Sequence, residues 1–109
     1  MQVSADTTAQ RLSTLARLYQ QGQTSQLMDR TLDKLLLYEA EQSRAQLDAL
    51  QIDLAVFERQ YGMTADEFSR RYQAGQTDDR MDFVEWYSLI RMRDNLRSRL
   101  QALMGERST

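Results

Sequence analysis

Residues 25–62 read SQLMDRTLDKLLLYEAEQSRAQLDALQIDLAVFERQYG, and this stretch decides the fold. It contains no proline, and its only glycine is the last residue, so nothing in it interrupts an α-helix. At roughly 1.5 Å per residue, such a helix would be about 55 Å long. We therefore predict one long helix over about residues 25–61, which is too long for so short a chain to cover on every side.

The second half of this helix carries a regular apolar stripe. Its residues recur at alternating steps of three and four, the spacing that keeps one stripe against one neighbouring helix. They are Leu47, Leu50, Leu54, Phe57 and Tyr61, and the register continues back to Ser43, Ala40 and Leu36. A second stripe of Ala45, Ala49, Ile52 and Val56 lies on the roughly opposite side. It either meets a second neighbour, from this chain or another, or faces water.

The first half of the long helix is apolar on too many sides for a single neighbour to cover. Four consecutive large apolar residues, Leu35 to Tyr38, span a full helical turn. Burying each would contribute roughly 1.5–3 kcal/mol, whereas a contiguous exposed apolar patch marks an interaction site. We therefore predict that this half binds a partner. The predicted partner-binding residues are Leu27, Met28, Leu32, Leu35, Leu36, Leu37 and Tyr38.

Two further helices are predicted at the ends of the chain. The N-terminal helix, over about residues 6–21, is expected to follow a frayed segment 1–5, to begin at a cap on Ser4 or Asp6, and to end at Gly22. It either docks on the apolar first half of the long helix or stays loose until a partner arrives. The C-terminal helix, over about 79–104, has an apolar seam with Arg93 as its polar exception. The apolar seam residues are Trp86, Leu89, Leu96, Leu100 and Leu103.

A short connector helix is predicted over about residues 65–74. Thr64 and Glu67 have the spacing of a capping box, and Met63 and Phe68 have the spacing of a hydrophobic staple. The chain therefore reverses here, and the two long helices form an antiparallel pair. The connector would complete an aromatic core of Phe57, Tyr61, Phe68, Tyr72, Phe83 and Trp86. Arg93 is expected to extend to solvent, to pair with Asp48 or Glu41, or to mark where the pair opens.

The predicted fold class is therefore all-α, an antiparallel helical hairpin or coiled coil around one long helix. We expect a single helical domain over residues 1–109, with a hairpin at 39–105 and a partner-dependent arm at 1–38.

The composition limits the possible functions. There is no cysteine and no histidine, so disulfides and thiolate metal sites are excluded, and general acid–base chemistry would fall to carboxylates. No pair of carboxylates is set apart from the solvated ones, so we predict no enzyme activity and no cofactor. No apolar run approaches the length of a membrane span, which favours a cytoplasmic protein without membrane contact.

Two charged segments are candidate binding sites. The acidic residues Asp78, Asp79, Asp82 and Glu85 could hold a divalent metal, but helix capping and solvation are favoured because the glycine of a calcium loop is missing. The arginines between Arg91 and Arg99 could follow a phosphate backbone, but Asp94 interrupts them and the net charge is −2, so nucleic-acid binding is not favoured.

Three segments resemble a family of small prokaryotic helical proteins that act as antitoxin-like components of toxin–antitoxin pairs. The connector run FERQYGMTADEF, residues 57–68, resembles the family pattern F-E-x-x-Y-G-M-[ST]-x-E-E-F. The run from Ala74 to Trp86 resembles A-G-x-x-x-D-x-x-D-F-x-E-W, and TLDKLLLYE at 31–39 resembles a common preceding segment. The resemblance covers about residues 27–103 and implies that the chain binds and neutralises a small toxin, of the kind that acts on RNA.

The leading hypothesis is therefore a non-catalytic, antitoxin-like protein that sequesters a small toxin, such as a ribonuclease, through the Leu27–Tyr38 region. The alternative is a structural coiled-coil protein that associates only with itself, as a dimer or larger homo-oligomer, without a toxin partner.

Overall fold

The computed structural model describes the backbone of residues 5–105 and the side chains of residues 7–105. In this range the chain is all-α, as predicted, with helices α1 (Ala5–Gln20), α2 (Gln26–Tyr61), α3 (Ala65–Gln73) and α4 (Met81–Met104). The long helix and the short connector helix are both confirmed. The cap predicted at Ser4 or Asp6 lies outside the described side chains.

The chain divides into two compact units, the first ending at Leu35 and the second beginning at Leu36. In the first unit, Ser25 caps α2, because its Oγ accepts a hydrogen bond from the Met28 N–H at 3.1 Å. The Tyr19 hydroxyl donates to Asp29 Oδ1 at 2.6 Å and links α1 to the first turn of α2. None of the described side chains up to Leu35 is buried. If α1 docks on the first half of α2, as one of the two alternatives expected, it buries no described side chain within this unit.

In the second unit α2 and α4 are antiparallel. Arg99 on α4 contacts Ser43 and Glu39 at one end of the pair, while Phe57 stacks on Trp86 at the other end. The apolar stripe predicted on α2 faces α4, and its buried members are Ala40, Ser43, Leu47, Leu50 and Leu54.

The seam of α4 differs from the prediction by one position near its start. The buried residues of this helix are Phe83, Trp86, Ile90 and Arg93, at steps of three, four and three. Leu89, which was expected to lie in the seam, is only half-buried. The reason is that α3 also packs on α4, so the buried face of α4 is centred between α2 and α3 and Leu89 falls at its edge.

The aromatic residues form the core predicted for them. The rings of Phe68 and Trp86 are almost parallel, with centroids 4.0 Å apart, and both side chains are fully buried. Tyr61 packs edge-on against Phe83 at 4.9 Å, and Tyr72 stacks on Tyr87 at 4.5 Å. This core joins α3 to both α2 and α4 at one end of the hairpin.

The reversal between α2 and α3 depends on local hydrogen bonds. Gly62 has φ +67°, which a residue with a side chain rarely adopts, and its N–H closes the end of α2 on the Glu58 carbonyl at 2.9 Å. Thr64 Oγ1 accepts from the Glu67 N–H, so half of the predicted capping box forms. The carboxylate of Glu67 accepts from Arg71, at 2.9 Å.

A second cap on α3 comes from the preceding helix. The Glu58 Oε2 atom accepts a hydrogen bond from the Ala65 N–H at 2.7 Å, which satisfies a backbone donor at the start of α3. Glu58 therefore links the end of α2 to the start of α3, in addition to the packing of Met63 and Phe68 in the core.

Candidate protein-binding surface

The apolar residues predicted to bind a partner are mostly accessible to solvent. Leu27 is 75% exposed, and the four consecutive residues Leu35 to Tyr38 are between 40% and 60% exposed. Met28 and Leu32 are half-buried. Large apolar side chains usually lie inside a protein, so a run of four that stays in water is unusual for a self-sufficient fold.

Part of this run borders a shallow groove in the second unit, which we call the α2–α4 groove. It lies where the beginning of the unit's α2 segment meets the end of α4, and its volume is about 130 Å³. Pockets for small organic ligands are larger, about 300–1,000 Å³. The groove therefore suits one or two apolar side chains of a protein better than a small molecule. Its lining residues are Leu36, Leu37, Ala40, Glu41, Arg44, Leu103 and Met104.

Polar contacts near the groove hold the register of the two helices. The Arg99 guanidinium donates to Glu39 Oε2 at 2.7 Å and to Ser43 Oγ at 3.2 Å. Arg44 extends from α2 to within 3.5 Å of the Met104 sulfur on α4. Because these side chains join α2 to α4, the groove is a feature of a fixed helix pair and its shape follows from their register.

The basic stretch of α4 is partly used inside the fold. Arg93 is 8% exposed and donates to Asp66 Oδ1 at 2.9 Å and to Asp94 Oδ1 at 3.1 Å. Of the three alternatives expected for Arg93, pairing with Asp48 or Glu41 is wrong, because α3 places Asp66 beside the seam. Burial acts against the charge of Arg93, but the hydrogen bonds with Asp66 and Asp94 outweigh it and raise the pKa of Arg93.

Arg99 is likewise paired with Glu39, so two of the arginines between Arg91 and Arg99 form ion pairs within the protein. A nucleic acid would have to compete with these carboxylates for the same guanidinium groups. Arg91, Arg97 and Arg99 lie on the solvent-exposed face of α4, whereas Arg93 is buried, so the four arginines do not form one continuous basic surface.

Two members of the acidic cluster at the start of α4, Asp78 and Asp82, accept hydrogen bonds from different partners. Asp78 accepts two hydrogen bonds from the Arg80 guanidinium and one from the Arg80 N–H, and these bonds lower the pKa of Asp78 to about 2. Asp82 accepts from the Tyr61 hydroxyl, and this hydrogen bond raises the pKa of Tyr61. Among the described residues, no three potential metal ligands come together.

Comparison of the chain with protein-family models, curated proteins and solved structures finds no match. In the described part of the chain, no helix is both long enough and apolar enough to cross a membrane.

The exposed surface around the α2–α4 groove offers apolar side chains for contact, with the charged residues Glu41 and Arg44 beside them. The sequence identified the exposed leucines, but it did not identify Leu103 and Met104 as the opposite wall of the groove. The signal for them was weak, since both looked like ordinary members of the C-terminal helix and only the register of α2 against α4 brings them to Leu36.

Proposed function

We propose that this protein is a non-catalytic, antitoxin-like binding protein that sequesters a small toxin through the Leu27–Tyr38 region. The proposal is supported by one observation above all, the exposure of the four consecutive apolar residues Leu35 to Tyr38. The resemblance of the connector and of residues 31–39 to antitoxin-like proteins supplies the class of partner. A ribonuclease is the toxin that this resemblance favours, and the cytoplasm is the compartment in which such a pair would act.

The physical basis of binding would be burial of these side chains by the partner. Each large apolar side chain that passes from water into an interface contributes about 1.5–3 kcal/mol, less the cost of ordering both surfaces. A helix from the partner could place its apolar residues along α2 and insert one of them into the α2–α4 groove. Such a complex would block the toxin by occupying its surface and would need no chemistry from this protein.

Co-expression of the tagged chain with the product of the neighbouring gene tests the proposal. The two proteins should copurify, and Leu37→Asp should weaken the complex at least about tenfold, because an unpaired carboxylate would be buried in an apolar interface. Leu37 is 60% exposed, so this substitution should leave the helical circular dichroism spectrum unchanged.

The matched control is Ile52→Asp, which also places a carboxylate on an exposed apolar position of α2 but outside the predicted site. This variant should still bind the toxin. Absence of copurification with the wild-type chain, or equal loss of binding in both variants, would overturn the proposal.

A second candidate function is a structural coiled-coil protein that associates only with itself. It is favoured by the second apolar stripe, whose largest member, Ile52, is 69% exposed. The two functions differ in whether the wild-type chain forms a complex with another protein. A protein that only self-associates would form no complex with a neighbouring gene product, and Ile52→Asp would weaken its self-association.

A further inference from the structure

We infer that a second copy of this chain docks on the exposed stripe of α2, with the two α2 helices antiparallel and held in register by two Glu41–Arg59 ion pairs. This inference goes beyond the proposed function, because the apolar stripe from Ala45 to Val56 lies outside the α2–α4 groove and requires no toxin; the two surfaces adjoin only at Glu41.

The first observation is an unpartnered apolar face. Ile52 and Val56 are 69% and 48% exposed, and Ala45 and Ala49 on the same stripe are exposed as well. The stripe points away from α4, because the residues of α2 that face α4 are the buried set from Ala40 to Leu54. Its steps of four, three and four are those of a two-helix seam, and the two alanines allow the helix backbones to approach closely.

The second observation is a pair of opposite charges that border this face at its two ends. Glu41 and Arg59 are 18 positions apart in the sequence, which is about five turns at roughly 3.6 residues per turn, so they lie in line on one side of α2. Both are exposed. Within the part of the chain that the structure describes, neither forms an ion pair.

The charges and the apolar stripe share one centre. Residue 50 lies midway between Glu41 and Arg59, and the midpoints of Ala45–Val56 and Ala49–Ile52 lie within a single residue of it. A two-fold axis at this point therefore places Ala49 near Ile52 of the second copy, Ala45 near its Val56, and Glu41 near its Arg59. Each contact occurs twice, as a two-fold interface requires.

The same charges select the orientation. In a parallel pair of α2 helices, Glu41 would face Glu41 and Arg59 would face Arg59, and like charges in contact destabilise an interface. In the antiparallel pair every one of these four charges meets an opposite charge. The ion pairs stay at the edge of the interface, where they contribute orientation more than affinity.

Sedimentation equilibrium of the full-length chain over a range of concentrations tests the inference. The wild-type chain should form a dimer, and Ile52→Asp should raise the dimer dissociation constant roughly a hundredfold or more, because each dimer would bury two unpaired carboxylates. Met81→Asp is the control, since Met81 is 77% exposed and lies on α4 outside the stripe, and it should leave the dissociation constant unchanged.

Charge exchange tests the orientation. Glu41→Arg alone and Arg59→Glu alone should each weaken the dimer by about fivefold at low salt, and the double variant should recover the wild-type constant. A chain that stays monomeric at about 100 μM, a dimer insensitive to Ile52→Asp, or a double variant no stronger than the single ones would overturn the inference. A monomer that still binds the neighbouring gene product would overturn this inference and leave the proposed function standing.

Discussion

Replacing Arg93 by methionine should leave the protein as stable as before or make it more stable. Arg93 is buried in the seam between α2 and α4, so its charge is held out of water at a cost. Its two carboxylate partners are not buried, since the side chains of Asp66 and Asp94 are 71% and 58% exposed. On loss of the arginine both carboxylates return to water, while methionine fills a similar volume with apolar atoms.

The size of the change in the free energy of unfolding depends on which member of the ion pair stays buried. Replacing a buried ion pair by apolar groups ranges from neutral to about 4 kcal/mol stabilising, and we expect roughly 0–2 kcal/mol here because the carboxylates are already solvated. Removing the carboxylates instead, by Asp66→Asn with Asp94→Asn, leaves the buried guanidinium without a counter-charge. It should lower the free energy of unfolding by about 2–3 kcal/mol, below the range of about 3–5 kcal/mol for pairs with both members buried.

Urea unfolding followed by circular dichroism at equal ionic strength measures both variants. About 1 kcal/mol corresponds to roughly 4 °C or more in Tm for a domain of this size, so a thermal scan gives an independent check. If Arg93→Met destabilised the protein as much as the double asparagine variant does, the ion pairs would be a net source of stability. The reasoning from burial would then be wrong.

Three further predictions concern the hydrogen bonds around the connector. Glu58→Ala should lower the free energy of unfolding by about 0.5–2 kcal/mol in urea, because α3 loses a cap, whereas Glu58→Gln should retain much of the bond. Tyr61 has a raised pKa in the folded protein because its hydroxyl donates to Asp82. The stability that this bond contributes is fully present below the unfolded pKa of about 10 and is lost as the pH rises through the folded pKa. The loss of stability at alkaline pH should therefore be smaller in Tyr61→Phe. The pKa of Asp78 is shifted in the opposite direction, so its contribution to stability is present above pH 3.8 and is lost as the pH falls through about 2. Arg80→Ala should return the pKa of Asp78, measured by NMR titration, toward 3.8.

Much of the helix pairing could be read from the sequence because it depends on local spacing. The stripe from Ala40 to Leu54 faces α4, and Phe68 closes the aromatic core, because steps of three and four keep side chains on one face whatever the neighbour is. The choice of Ile90 over Leu89 on α4 depends on where α3 lies, and a pattern along one helix does not contain that information.

The pairing of Arg93 could not be predicted for a similar reason. The chain has sixteen acidic residues, and the partner is decided by the position of α3, which places Asp66 next to the seam although it is 27 residues away in the sequence. For the candidate site, the sequence indicated which side chains are apolar and exposed. The α2–α4 groove needed the register of two helices, which is set by long-range contacts such as that of Arg99 with Glu39.

The stacking of Phe68 on Trp86 has a practical consequence. Trp86 is the one tryptophan of the sequence and is fully buried against a ring of α3, so its ultraviolet emission reports the packing of that end of the hairpin. A short emission wavelength that persists while a ligand is titrated would mean that the aromatic end stays closed during binding. The protein thus carries a built-in optical probe placed away from the α2–α4 groove, and no dye label is needed to separate opening of the fold from occupation of its surface.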